Sequence, residues 1–252
     1  MRKIVLLGLL ALFLLAGSAA AGGGNNIASA PELPIGSLVS GGVASADNYK
    51  LCCHYWKHPN TPGLEYWRVL LGVGDQFVVD YTLLTQAGNV GVGLCMLAPN
   101  ITDFTVGDTD CVAQDTTTTQ HEFRFTSPTA GDWILAVGDD GCCMRTPWSY
   151  QLTAYVRHST HTTISAPRVV RAKSRVVYAG RVLSVPGAKV QLESRSLKHP
   201  AWKTFALVTA RADGRFTFRS TVAAPGTYRI KAIYAGDNKH LPSSAIVSFK
   251  VI

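Results

Sequence analysis

From residue 37 onward, apolar and polar residues alternate with a period of two in short runs. EYWRVLL, QFVVDYT, HEFRFT, DWILAVG and SYQLTAYV are examples, and Gly, Pro, Asn or Asp stands between such runs. A period of two puts every second side chain on the same face of an extended chain, which predicts half-buried β-strands. Helical periodicity is absent beyond the opening residues. The pattern predicts strands over 37–43, 49–55, 66–71, 76–82, 90–97, 121–126, 132–137 and 149–156. Eight strands in about 135 residues suit two packed sheets.

Further along, SRVVYAGRV, AKVQLESR, RFTF and TYRIKAIYAG continue the pattern. Asp213 and Gly214 predict a tight turn, as do Pro225 and Gly226, and Tyr228, Ile230, Ala232 and Tyr234 are expected on one face. If the chain reverses between Phe218 and Tyr228 as a hairpin, Arg215 faces Lys231 and Arg219 lies diagonal to Arg229. Trp67, Val69 and Leu71 fall on one face of their strand, with Tyr66, Arg68 and Leu70 on the other, so Trp67 is expected in the core.

The opening MRKIVLLGLLALFLLAGSAAAGGG departs from this pattern. Arg2 and Lys3 precede an apolar run, and Ala19 and Ala21 stand in the spacing that signal peptidase accepts. Residues 1–21 therefore read as a secretory signal. The run falls short of the ~20 apolar residues a membrane span needs. The mature chain is expected to be secreted, with no membrane span. Its closing SAIVSFKVI reads as a strand rather than an anchor, so any retention at a cell surface is expected to be non-covalent.

Charge divides the chain. Between residues 22 and 157 there are six Lys and Arg against thirteen Asp and Glu, a balance of −7. Between residues 158 and 252 there are sixteen against three, or +13. The net +8 thus averages an acidic half and a basic one. The polar stretch RHSTHTT, residues 157–163, marks the boundary between two expected domains, 22–157 and 158–252.

All six cysteines, Cys52, Cys53, Cys95, Cys111, Cys142 and Cys143, lie in the acidic half. In an exported chain an even count reads as disulfides. Bridging adjacent cysteines would be strained. The expected pairing is Cys95 with Cys111, and Cys52 and Cys53 with Cys142 and Cys143 in either order. Cys52, Cys53, His54 and His58 are acceptable zinc ligands by type, but their spacing is not that of a finger and the second doublet would go unused. Redox catalysis by a C-x-x-C is excluded, since none is present.

ASAPELPIGSLVSGGV, EYWRVLLGVGDQFVVDYT, GLCMLAPN, FRFTSPTAGDWILAVG and SYQLTAYV resemble the bacterial pre-peptidase C-terminal domain, over roughly residues 28–156. That resemblance implies a jelly-roll-like β-sandwich of the kind appended to secreted enzymes. The strand VGVGL departs from the family, where an Asp-containing strand is usual, as do the cysteine-rich insertions. TTISAPRVV, SRVVYAGRV, WKTFALVTARADGRFTF, APGTYRIKAIYAGDNKH and AIVSFKVI resemble bacterial immunoglobulin-like domains. The resemblance implies a second sandwich of about 90 residues. The expected fold class is all-β, two β-sandwich domains after a signal peptide.

No G-x-S-x-G elbow, H-E-x-x-H or phosphate-binding glycine loop is present, so no catalytic residues are assigned and the protein is read as a non-enzyme. Asp103, Asp108, Asp110, Asp139 and Asp140 offer the hard oxygens of a structural calcium site, with GDTD at 107–110 its first contributor. Solvated turn residues are the preferred reading, so no metal or cofactor is assigned. Tyr55, Trp56, Tyr66, Trp67 and Trp148 are consistent with sugar stacking or with packing around bridges, and packing is preferred. Opposed like charges are mildly destabilising in a sheet, so Arg215, Arg219, Arg229 and Lys231 are the expected ligand-binding residues. The partner they imply is an anionic cell-envelope polysaccharide. A secreted protein partner is the alternative, making the chain an accessory or regulatory subunit of a secreted hydrolase. A structural spacer is the third reading. Export and the lack of aromatics between the basic residues argue against nucleic acid.

Overall fold

The computed structural model describes residues 27–43, 65–84, 92–102, 111–117, 121–139 and 148–252. The signal segment, the strand expected over 49–55, Cys52, Cys53, Cys142, Cys143 and the proposed zinc ligands lie outside them. So do Tyr55, Trp56, Asp103, Asp108, Asp110 and Asp140.

The described residues form an all-β structure. The acidic half contributes β1 (Leu38–Val43), β2 (Glu65–Leu71), β3 (Gln76–Leu83), β4 (Val92–Leu97), β5 (Cys111–Thr117), β6 (His121–Thr126), β7 (Gly131–Asp139) and β8 (Trp148–Arg157). They assemble into two four-stranded antiparallel sheets, ordered β1-β8-β3-β6 and β2-β7-β4-β5. Alternate residues from both sheets meet between them: Trp67, Val69 and Leu71, Phe77, Val79 and Tyr81, Trp133, Leu135 and Val137, Tyr150 and Leu152. Trp67 is 1% exposed, as its position in the alternation predicts.

Tyr66, on the opposite face of β2, is buried as well. It packs with Cys95, Leu97, Ile134, Ala136 and Ala30 in a smaller outer cluster. The reason is tertiary: the segment before β1 runs along the free edge of β2. Arg68 N–H donates to Pro31 O and Leu33 N–H to Arg68 O, both at 2.8 Å. The Cys95–Cys111 disulfide joins β4 to the start of β5 beside this cluster, with Cα atoms 5.4 Å apart.

The basic half contributes β9 (Thr162–Ser165), β10 (Val169–Val170), β11 (Arg175–Val182), β12 (Lys189–Ser196), β13 (Lys203–Thr209), β14 (Arg215–Thr221), β15 (Gly226–Tyr234) and β16 (Ser243–Val251). One sheet is ordered β14-β11-β9 and the other β10-β16-β15-β12-β13. All pairs are antiparallel except β10 with β16. Val176, Tyr178, Val182 and Phe216 from the three-stranded sheet meet Val190, Leu192, Ile230, Ala232, Tyr234 and Phe249 from the five-stranded one. Burying a side chain of this size contributes roughly 1.5–3 kcal/mol, which makes the shared interior the main source of cohesion.

The expected hairpin between β14 and β15 does not form. β14 pairs with β11, whereas β15 pairs with β12 and β16. The segment through Pro225 carries the chain from one sheet to the other, so Phe216 on β14 and Ala232 on β15 meet face to face across the interior. Arg215 therefore does not face Lys231, and Arg219 is not a neighbour of Arg229. The Asp213-Gly214 turn does form. Gly214 has φ +78°, and a Cβ there would lie 2.2 Å from the carbonyl oxygen of Val182.

The two halves touch where β8 ends. Asp75, in the turn between β2 and β3, is 5% exposed. It accepts from Ser159 N–H at 2.7 Å and Gly72 N–H at 2.9 Å, and lies 3.0 Å from His158 Nδ1. His158 in turn bonds to the basic half: its N–H donates to Lys239 O, and its carbonyl accepts from Leu241 N–H. Burial works against the Asp75 charge, but the Ser159 and Gly72 amides and the His158 ring favour the anion more, and its carboxyl is held below the ordinary value.

Candidate functional site

In β11 and β14, core residues alternate with arginines. Val176, Tyr178 and Val182 point inward, which sends Arg175, Val177 and Arg181 outward. Phe216 and Phe218 point inward, which sends Arg215, Thr217 and Arg219 outward. Register then decides which charges meet. Arg181 lies directly opposite Arg215, and Arg219 lies opposite Val177. Thr163 and Ser165 of β9 extend the rows beside Arg181 and Ala179. The result is an exposed face carrying Arg175, Arg181, Arg215 and Arg219, interleaved with the hydroxyls of Thr163, Ser165, Thr217 and Thr221.

One acid borders this face. Asp213 Oδ2 lies 3.7 Å from Arg215 Nε, and its backbone oxygen accepts from Arg181 Nε at 3.0 Å. Arg175 and Arg219 have no acidic partner among the described residues.

On the outer face of the five-stranded sheet, Arg195 of β12 lies directly opposite Arg229 of β15, with Ser248 of β16 in the same row. In the next row Lys231 lies opposite Glu193, which offsets it, and Lys250 stands opposite Thr227. The Arg195 guanidinium sits 4.6 Å over the Trp202 ring. This cation–π contact holds the group flat and leaves its N–H edge available. Arg195 and Arg229 line a shallow cleft of about 200 Å³ with Ser196, Leu197, Pro200 and Thr227.

The four sequence-predicted residues are thus divided: Arg215 and Arg219 on one sheet, Arg229 and Lys231 on the other. Their neighbours Arg175, Arg181 and Arg195 were missed by sequence reasoning. Arg175 and Arg181 carry a readable signal, since both alternate with buried residues in SRVVYAGRV. The pairing of Arg195 with Arg229 depends on which strand β15 joins, and no local pattern reports it.

A second cleft of about 480 Å³ opens between the two sheets, walled by Tyr178, Phe205, Phe218, Tyr228 and Phe249. No charged residue lines it, so it adds nothing to either basic face.

Histidine and carboxylate do meet at the junction of the halves. His158 pairs with Asp75 and His240 with Asp237, with ring centroids 6.3 Å apart. Asp237 also accepts from Tyr234 OH at 2.7 Å and Lys239 N–H at 2.8 Å. Burial opposes its charge, but these bonds and the His240 ring outweigh it and hold its carboxyl at about 2. Among the described residues no group of three or more His, Cys, Asp and Glu is placed to hold a metal.

In the acidic half, Tyr150 OH donates to Glu65 Oε2 at 2.5 Å and accepts from Trp67 Nε1 at 3.0 Å. Gly42 N–H donates to Glu65 Oε1 at 3.0 Å. Burial, then the Glu65 charge, push the Tyr150 hydroxyl well above its ordinary value. The network ties β1, β2 and β8 together.

These sheets define an all-β protein of sandwich-like construction with basic residues on the outer side of both sheets of its basic half. No protein-family model matches the chain, and no curated protein does. Among solved structures, the CARDB domain of a Pyrococcus furiosus protein is similar at 20% identity, covering 37% of this chain and 94% of that one, with a TM-score of 0.26. The sulfur carrier protein SoxY from Chlorobium limicola is similar at 14% identity, covering 37% and 84%, with a TM-score of 0.26. A β-glucuronidase from Ruminococcus gnavus is similar at 5% identity, and there the chain spans 38% of the enzyme's length, with a TM-score of 0.25. At such scores these likenesses carry no argument, and the strand order and surface chemistry of the chain itself carry the functional conclusion.

Proposed function

We propose that the chain is an exported, non-enzymatic binding protein that works at or outside a bacterial cell surface, its basic half contacting an anionic envelope polysaccharide. In this reading residues 1–21 are a signal peptide. Residues 22–157 form a disulfide-bonded module like the pre-peptidase C-terminal domain, and residues 158–252 an immunoglobulin-like one.

The observation that supports it most is the pair of like-charge contacts in register, Arg181 opposite Arg215 and Arg195 opposite Arg229. Each costs the fold a few tenths of a kcal/mol or more. A carboxylated polymer turns that cost into affinity, because a guanidinium fork matches a carboxylate edge to edge. Threonine and serine hydroxyls between the arginines suit sugar hydroxyls. The three-stranded face has no aromatic ring on its outward strand positions for stacking bases, which disfavours nucleic acid.

Retention of the secreted full chain on immobilised polygalacturonate, at low and high salt, tests the reading. Exposed charges are screened beyond about 8 Å at physiological salt, so retention should fall steeply as salt rises. Salt-independent retention, or none at low salt, rejects it.

A further inference from the structure

β14 pairs with β11, and β15 pairs with β12 and β16, so the two strands lie in different sheets. Had β14 and β15 formed a hairpin, their basic residues would make one face. The structure instead carries two, on the opposite outer surfaces of two sheets that share one interior. We propose that the basic half is a cross-bridge: it binds two separate chains of a carboxylated polysaccharide at once, one on each sheet. The inference rests on the polyanion reading above and goes beyond it, since binding alone requires only one face.

Three observations support it. First, stacked sheets stand about 10 Å apart at the backbone. Arg175, Arg181, Arg215, Arg219 and Arg229 are exposed and Arg195 is half-buried over Trp202, all on the sides of their strands that turn away from the interior, so the two charge layers lie farther apart than the sheets themselves. Each face therefore offers its own polymer a separate surface, with the packed interior between them. Second, each sheet carries an in-register arginine pair of its own, Arg181 with Arg215 and Arg195 with Arg229. A single binding face would leave the repulsion within the second pair without a ligand to offset it. Third, the faces differ in form. The three-stranded face is an array of arginines and hydroxyls, suited to lying along a chain. The five-stranded face has a cleft of about 200 Å³ flanked by Arg195 and Arg229, the size of a single acidic group with part of its ring. One polymer lies along the first face, and the second is gripped at one acidic sugar unit.

The test uses the full secreted chain and two variants, R175T/R181T/R215T/R219T and R195T/R229T/K231T. Threonine suits strand positions, and each variant removes one opposed arginine pair; the second also gives up the Arg195 contact with Trp202 and the Lys231 charge opposite Glu193, and a cooperative thermal transition verifies the fold of each. Beads coated with polygalacturonate are loaded with protein, washed, and offered fluorescent polygalacturonate in solution. The wild-type chain should stay on the beads and capture the fluorescent polymer. Each variant should stay on the beads at low salt and capture at least tenfold less. Titration with a short oligogalacturonate gives an independent measure: two equivalents for the wild type and one for each variant.

Wild-type retention without capture, or a single equivalent of oligosaccharide, overturns the cross-bridge and leaves the polyanion reading standing. Absence of wild-type retention overturns both. Capture by either variant at the wild-type level also overturns the cross-bridge, because the bridge would then run through paired copies of the chain rather than through opposite faces. If polyphosphate displaces the protein better than oligogalacturonate of equal charge, the carboxylate assignment is wrong.

Discussion

Replacing Asp75 by Ala removes the acceptor that joins the turn after β2 to the segment after β8. The carboxylate receives the amides of Ser159 at 2.7 Å and Gly72 at 2.9 Å, with the His158 ring at 3.0 Å. Hydrogen bonds to a charged group contribute about 1.5–3 kcal/mol each, and a buried donor left without an acceptor loses its full desolvation cost. Both amides are only part-buried and can regain water, so the low end applies. D75A should lose about 3–5 kcal/mol of unfolding free energy at pH 7, and D75N, which keeps one acceptor oxygen, about half of that. The pH dependence follows from the depressed carboxyl. Its contribution is complete above the ordinary aspartate value of about 3.9 and is lost as pH falls through the lower folded-state value. The gap between wild type and D75N should therefore narrow below about pH 4. Urea unfolding of the full chain followed by tryptophan fluorescence, at pH 7 and at stepwise lower pH, measures both quantities. A D75A loss under 0.5 kcal/mol at pH 7, or a D75N gap that persists unchanged into acid, would refute this account of the junction.

Three further outcomes are expected. Y150F should cost about 1–3 kcal/mol in urea unfolding, because it takes a hydroxyl donor from the buried Glu65 carboxylate and an acceptor from Trp67; a loss under 0.5 kcal/mol would show the network to be dispensable. C95A/C111A should cost about 3 kcal/mol, the loop-closure value for a bridge across 16 residues, while retention on polygalacturonate is unchanged. R229T should raise stability by a few tenths of a kcal/mol, since it removes a charge opposed to Arg195, and should weaken retention at the same time. If stability falls together with retention, the two arginines are not in conflict, and the main support for the proposed function is gone.

Strand positions were legible because a half-buried strand must alternate. The predicted 121–126 coincides with β6, and six further strands agree within two residues at either end. β5 was missed because Cys111–Thr117 reads CVAQDTT, which has no alternating apolar residues after Ala113. It holds its place by pairing with β4 and through the bridge from Cys95 to Cys111. That bridge was predicted from export and an even cysteine count, neither of which depends on the fold. The burial of Tyr66 was illegible for a related reason, since the segment that covers it comes from more than thirty residues earlier.

The basic character of the second half, and the outward direction of its arginines, are properties of composition and local period, which the sequence by itself determined. Which arginines meet was decided by tertiary structure alone. Phe216 and Phe218 on β14, and Tyr228, Ile230 and Ala232 on β15, alternate identically whether the strands lie side by side in one sheet or face to face in two. Alternation specifies the side of a strand that turns inward and says nothing of its neighbour. The interior chose between the two arrangements, because placing β14 beside β11 and β15 between β12 and β16 buries both apolar rows against each other. That choice divided one expected basic face into two opposite ones.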